Sequence, residues 1–417
     1  MIHTDFLLYN ISKLLNCDDH PVPYRRGRDM SLVPALNNAW LLVRNGLIVD
    51  FGDMSSLPEL NIHKIDVQQG FVMPAFVDAH THLVFAETRE NEMAARIRGM
   101  SYQEIAANGG GILNSAIRLQ QMDEDLLFSK SWQRLMQAVE TGTGAFEMKS
   151  GYGLSTESEL KILRIIRRLS EESGLPIRAT FLGAHAYPLQ FREDHQGYLH
   201  QIIEEMLPAI AKGNLADYCD VFCEKGFFSP EETEQIIVAA RSHKLKVRLH
   251  TNQFTHSGGI ELAIRHQAVS VDHLEELSDE EISMLASSTV IPVTLPTAAF
   301  FMNCPYPPAR KMIEAGLGLV AATDFNPGTS PSSDMNLCFS LACIKMRMTP
   351  EEALNAVTIN AAFALELHEY VGSIERGKFA HLIVSRPGMN LNSIPYALGR
   401  QWISKVILGA IHDLPNG

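Results

Sequence analysis

The chain has 417 residues, 46% hydrophobic and 20% charged, which fits a soluble globular protein with room for a large barrel and a smaller domain. Its net charge of −13 repels nucleic acid and anionic membranes, so neither is an expected partner. No apolar run reaches the length of a membrane span.

The start, Met1-Ile2-His3-Thr4-Asp5, lacks the basic opening of a secretory signal. The six cysteines are scattered with no Cys-x-x-Cys, which suits reduced thiols and a cytoplasmic location better than a disulfide framework. Residues 1–70 read as short β-strands. Trp40–Arg44 and Leu47–Phe51 flank Asn45-Gly46, a dipeptide that favours the positive-φ turn of a two-residue hairpin. The last stretch, 367–417, has the same character in Leu382-Ile383-Val384 and Trp402–Leu408. The expectation is a small β-sandwich domain built from both chain termini.

Residues 71–366 alternate strands and helices. Candidate strands are 71–79, 144–149, 178–184, 218–223, 246–250, 268–272, 289–294 and 318–323, several of them near-continuous apolar runs typical of a parallel sheet buried on both faces. Thr156 with Glu159, Ser229 with Glu232, Ser278 with Glu281 and Thr349 with Glu352 read as capping boxes that start helices. Pro230 and Pro350 stand at first helical positions. The fold expected is α/β, a (β/α)8 TIM-like barrel, with a doubly wound sheet as the alternative.

Barrel enzymes build their sites at the C-terminal ends of the strands. In chain order those ends carry His80 and His82, then Lys149 and Tyr152, His185, Cys223-Glu224-Lys225, His250, Asp272-His273, Thr294 and Asp324. His80-Thr81-His82 alone is compatible with two ordinary surface histidines. On a strand, however, positions i and i+2 face the same way and two imidazoles can reach one ion. Together with His250 and Asp324 they supply nitrogen and carboxylate ligands for one metal, Zn or Fe, with an open position for water. The metal would lower the pKa of that water and make hydroxide available. Asp324 would shuttle its proton to a leaving nitrogen. His273 would polarise the carbonyl under attack, or else be a structural histidine fixed by Asp272. His185 in an apolar strand also has a purely structural reading.

Pro74-Ala75-Phe76-Val77-Asp78-Ala79-His80-Thr81-His82 resembles the first-strand motif of the amidohydrolase superfamily, and the later His, His and Asp follow its order. Within it the chain resembles the imidazolonepropionase family through Glu147–Leu154, Thr323–Pro331 and the segment from Ser101-Tyr102 to Gly109-Gly110-Gly111-Ile112. The resemblance implies hydrolysis of the ring C–N bond of 4-imidazolone-5-propanoate to N-formimidoyl-L-glutamate. It also implies the metal ligands His80, His82, His250 and Asp324. Substrate contacts would come from Arg89, Tyr102, Tyr152 and His185, with Asn326, Gly328 and Thr329 near the new carboxylate. Arg89 offers a planar fork to the propionate of such a small-molecule substrate. Its alternative is a solvated charge near Glu87 and Glu90. A homodimer is implied by resemblance alone.

The chain departs from the superfamily in three places. An acid often follows the fifth-strand histidine, whereas Thr251-Asn252-Gln253 supplies none; Gln253 can accept or donate a hydrogen bond but cannot act as a base. His381 stands where many amidohydrolases carry Asp, a position read as structural. Lys225 lies past the place of the modified lysine of two-metal members, which favours one metal. A deaminase or other cyclic-amide hydrolase, and a non-catalytic relative that uses the barrel for assembly, are the competing readings.

Overall fold

The structure, a computed structural model, describes residues 5–18, 22–100, 104 and 110–409. Two sheets organise it. The first is a mixed sheet drawn from both ends of the chain: β1 (Phe6–Leu15), β2 (Ala35–Arg44), β3 (Leu47–Asp53), β4 (His63–Asp66), β5 (Phe71–Pro74), β14 (Leu382–Ser385) and β15 (Ile403–Ile407). Its order is β15-β14-β5-β1-β2-β3, with β4 beside β1. Asn45 (φ 50°) and Gly46 (φ 74°) both take positive φ, so the β2–β3 turn is the primed type that matches strand twist. The pairing of β14 with β5 brings the two ends of the chain together.

The second sheet is all parallel and sequential: β6 (Phe76–Asp78), β7 (Thr143–Lys149), β8 (Ile177–Ala184), β9 (Tyr218–Cys223), β10 (Lys246–Thr251), β11 (Ser270–His273), β12 (Ile291–Thr294) and β13 (Val320–Ala321). The run expected as one strand over 71–79 is two. Phe71–Pro74 belongs to the mixed sheet and Phe76–Asp78 to the barrel. Pro74 has no N–H to offer a ladder, and the Ala75 N–H donates to His381 O, 2.8 Å, where the chain changes sheets.

The last strand is shorter than the expected 318–323. Beyond Ala322 the backbone turns to the continuation of β6: Asp324 N–H donates to His80 O (3.0 Å) and His82 N–H to Phe325 O (2.8 Å). The side chain of Asp78 accepts from Thr323 N and Oγ1 at 3.0 and 2.5 Å. These bonds tie the two ends of the sheet together at the mouth of the barrel.

Helices between the strands bury one apolar face on it. In Thr156–Ser173, Ile162, Leu163, Ile165, Ile166 and Leu169 are buried, each contributing about 1.5–3 kcal/mol relative to exposure. That helix ends on Gly174 at φ 67°, a left-handed stop. The capping boxes at Ser229, Ser278 and Thr349 form as expected. The one expected at Thr156 does not. Ser155 is the N-cap without a side-chain bond, Thr156 Oγ1 donates to Glu205 (3.1 Å), and Glu159 turns inward to a loop described below.

His381 is buried with Nδ1 3.0 Å from Gly144 O, so that nitrogen carries the proton. Burial lowers its pKa to about 4. Gly144 lies five residues before Lys149, about 16 Å along a strand, on the far side of the barrel from the site. His381 is a tie between the two sheets.

Candidate metal centre and active site

Strand periodicity places alternate residues inside the barrel. The inside is not filled by aliphatic side chains near its top. Glu147, Lys149, Asp220, Arg248 and Asp272 all lie there, each fully buried. Lys149 Nζ sits 2.7 Å from Glu147 Oε1, 2.9 Å from Asp220 Oδ2 and 3.7 Å from Asp272 Oδ2. Arg248 Nη2 is 3.4 Å from Asp272 Oδ2 and also donates to Ala79 O at 3.2 Å. Two cations thus meet three carboxylates. Burial works against every charge here, yet the Lys149 and Arg248 charges outweigh it and hold the Asp272 carboxyl below its usual value. His250 and Lys149 do the same for Asp220, whose carboxyl falls far below the usual range against the same burial penalty.

This layer orients two of the three histidines above it, His80 and His250. His80 Nδ1 lies 2.6 Å from Asp272 Oδ2, so it donates to the carboxylate and leaves Nε2 as a lone pair. His250 Nδ1 lies 2.9 Å from Asp220 Oδ2, and the His250 backbone N–H donates to Oδ1 of the same residue at 3.1 Å. One ring nitrogen each from His80, His82 and His250 falls within 4.8 Å of the others. His80 Nε2 and His250 Nε2 are buried without a hydrogen-bond partner. Such orphaned nitrogens are costly unless something takes their lone pairs. Burial, then Lys149 for His80 and His185 for His82, push both imidazoles well below their ordinary value. Neutral, converging and unpartnered imidazoles fit a metal ion.

Asp324 closes the fourth side. Its Oδ1 is 3.6 Å from His80 Nε2 and 3.5 Å from His82 Nε2. Burial raises its carboxyl to about 7, with the His273 charge acting the other way; a cation beside it would act downward as well. Backbone strain gathers at these strand ends. Asn252 (φ 56°), His273 (φ 92°), Leu274 (φ 70°) and Asp324 (φ 54°) are all non-glycine residues at positive φ, a conformation that folds retain chiefly where it aims functional groups.

A cavity of about 320 Å³ opens over the cluster. It is lined by His82, Arg89, Tyr152, His185, His250, Gln253, His273, Asp324, Asn326 and Thr329, with Ile112, Phe222, Phe227, Phe254 and Met302 as apolar wall. Among the described lining residues Asp324 is the one carboxylate. His273 Nδ1 pairs with Glu275 Oε1 at 3.3 Å. Burial lowers the imidazole pKa, but the Glu275 charge and hydrogen bond prevail and the net direction is upward. Asp272, one alternative partner for His273 by sequence, is engaged with His80 instead. His185 stacks on His82 (ring centroids 5.2 Å apart, 15° between planes), and Tyr152 meets both rings edge-on.

Arg89 precedes the helix Glu90–Ile97, with a side chain only 7% exposed. Such burial does not fit a solvated surface charge. Nη1 lies 3.5 Å from Glu92 Oε2, and Nε and Nη1 have no hydrogen-bond partner. The guanidinium passes over Gly328, where a Cβ would come within 1.7 Å of Arg89 Nη2. Asn326 spends its amide on the turn itself. Nδ2 donates to Asp324 O (2.6 Å) and Thr329 Oγ1 (2.8 Å), and Oδ1 accepts from Gly328 N (2.8 Å) and Thr329 N (2.7 Å). Tyr102 lies outside the described residues. Lys225 is exposed.

Sequence reasoning placed Lys149, Glu224 and Asp272 at strand ends without their supporting roles, and missed Glu147, Asp220 and Arg248 beneath the site; Glu224 Oε2 accepts from Gln253 N and Phe254 N at 3.0 Å each. The available signal was a charge at alternate positions of strands that otherwise read as apolar and doubly buried.

An eight-stranded parallel barrel with a converging histidine triad and a carboxylate at its C-terminal mouth defines a hydrolase scaffold of the metal-dependent amidohydrolase class. Residues 71–410 match the Amidohydrolase family. The chain is 48% identical over 403 residues to the imidazolonepropionase of Flavobacterium johnsoniae and 46% to that of Christiangramia forsetii, covering 96% of this chain and 98% of each relative. It is 39% identical to the Thermoanaerobacter pseudethanolicus imidazolonepropionase over 97% of both chains. The chain belongs to the amidohydrolase family, in its imidazolonepropionase branch. Solved structures share the fold at low identity: a zinc-bound adenosine deaminase from Xanthomonas campestris (TM-score 0.69, 17% identity, 97% of this chain and 92% of that one) and Escherichia coli guanine deaminase (TM-score 0.73, 13%, 98% of both).

Proposed function

We propose that this chain hydrolyses the ring C–N amide bond of 4-imidazolone-5-propanoate to N-formimidoyl-L-glutamate in histidine degradation. The observation that carries the reading is the buried, under-partnered Arg89 guanidinium lining the same cavity as the histidine cluster. A buried cation without a full set of acceptors suits an anionic ligand group, and the propionate supplies one.

His80, His82, His250 and Asp324 would hold one ion, Zn or Fe, since a nitrogen and carboxylate set suits both. Bound there, the ion would supply Lewis acidity and lower the pKa of a water. Arg89 binds the propionate and so fixes which ring face meets the cluster. His185 has Nδ1 3.0 Å from Gly151 O. A carbonyl only accepts, so the proton is on Nδ1 and Nε2 presents a lone pair. That suits a ring N–H. Water adds to the ring carbonyl carbon, and Asp324 takes one of its protons. His273, held in place by Glu275, donates to the carbonyl oxygen as negative charge grows on it. The C–N bond then breaks, and the leaving nitrogen departs with the proton from Asp324. Gln253 contributes a hydrogen bond and no proton transfer. Cytoplasmic location and a homodimer complete the reading.

The test follows the absorbance of imidazolone propionate with purified protein, beside a ring analogue lacking the carboxylate. Turnover of the acid and a poor rate with the neutral analogue are expected. Equal rates on both would transfer the chain to a deaminase or another cyclic-amide hydrolase.

A further inference from the structure

Glu159 looks in the sequence like the reciprocal half of a capping box. In the structure its carboxylate leaves the helix end and enters the turn between β7 and the helix Thr156–Ser173. It is fully buried. Oε2 accepts from Gly151 N at 2.8 Å, and Oε1 accepts from Gly153 N at 2.7 Å and Leu154 N at 2.8 Å. Three backbone N–H groups converging on one carboxylate form an anion nest supplied from within the chain.

The turn is wound tightly around it. Gly151 takes φ +104°, and a Cβ there would lie 2.9 Å from Leu182 O and 3.0 Å from His185 Nδ1. Leu154, with a full side chain, is held at φ 51°. A Cβ on Gly153 would come within 2.6 Å of Glu159 N and 2.9 Å of its Oε1. This turn does two things for the cavity. It presents the Tyr152 ring to His82 and His185, and it supplies the Gly151 carbonyl that His185 Nδ1 meets at 3.0 Å.

We infer that Glu159 is a positioning residue that, by gripping the amides of Gly151, Gly153 and Leu154, sets the Tyr152 ring and the tautomer of His185 for substrate binding. The inference rests on the reading that Tyr152 and His185 face the substrate. Glu159 touches no reacting atom. It acts through the turn, so its removal alters how substrate is held more than how the bond is broken.

The test is Glu159→Gln, which keeps the shape. Its NH2 must face either Gly151 N–H or the Gly153 and Leu154 pair, donor against donor. The expected result is a KM for imidazolone propionate raised roughly tenfold, the scale of one lost charge-assisted hydrogen bond. kcat should change less than about threefold, and metal content should match wild type. In a His185→Ala background the same change should raise KM by clearly less than tenfold, because the path through His185 is cut and only that through Tyr152 and His82 remains. Glu159→Asp keeps the charge, loses the reach, and should show the same signature. A fall in kcat or active fraction with KM unchanged, or fully additive effects with His185→Ala, would overturn the inference. So would loss of folded protein in both Glu159 variants, which assigns the residue to stability alone. If His185→Ala itself leaves KM unchanged, the substrate-facing reading fails; if it raises KM and Glu159→Gln does not, only the role of Glu159 fails.

Discussion

Asp220→Asn separates the charge beneath the metal centre from its shape. Asp220 Oδ2 faces both His250 Nδ1 and Lys149 Nζ at 2.9 Å, while Oδ1 accepts the His250 N–H at 3.1 Å. An asparagine can keep its oxygen toward the first pair or toward the backbone amide. Either choice sets an NH2 against a donor, and a buried donor left unsatisfied costs about 1–3 kcal/mol. Lys149 is not orphaned, because Glu147 remains at 2.7 Å and Asp272 at 3.7 Å. The loss should therefore stay below the ~3–5 kcal/mol of an unpaired buried charge. The larger effect falls on the ion. An outer carboxylate that orients a ligating histidine typically changes metal affinity about 10–100-fold, or ~1.4–2.7 kcal/mol at 1.36 kcal/mol per tenfold. Chelator competition should release metal from Asp220→Asn at 10–100-fold lower chelator than wild type. The melting temperature should fall more in the presence of metal than in its absence. Coincident chelator titrations would refute the assignment of Asp220 as the carboxylate that orients His250.

Four further outcomes follow from the same geometry. Stripping metal with chelator should abolish turnover of imidazolone propionate, and adding back Zn²⁺ or Fe should restore it at about one ion per chain; full activity of the stripped protein would remove the metal from the reaction. Asp324→Asn should fold and lose nearly all turnover, whereas Gln253→Ala should lose about tenfold or less, the value of one hydrogen bond; the reverse order of kcat values would exchange their roles. His273→Ala should lower kcat roughly 100-fold or more, and a rate near wild type would make the His273–Glu275 pair structural. Arg89→Met should cost about 2–5 kcal/mol in kcat/KM for the propionate substrate while barely changing the rate on the neutral ring analogue; equal losses on both would mean that Arg89 shapes the cavity without reading the carboxylate.

Local pattern carried much of this protein. Asn45-Gly46 demanded positive φ, and the turn has it. The apolar runs fell as parallel strands because a strand buried on both faces is mostly apolar along its length, with inward charges such as those of β7 and β10 breaking the pattern. His80, His82, His250 and Asp324 could be read at strand ends because a parallel barrel delivers every such end to one mouth. What the sequence left open lies across the barrel. His80 meets Asp272 over 192 residues, and Asp78 meets Thr323 over 245. Periodicity says which side chains share a face of a strand, but only closure of the sheet makes one face the inside and sets Lys149 among three carboxylates. Glu159 shows the same limit at short range. Ser155-Thr156-x-x-Glu159 satisfies the local rule for a helix cap, yet three amides of the preceding turn compete for the same carboxylate. They win because the folded barrel buries that turn, and its N–H groups have no water to accept them.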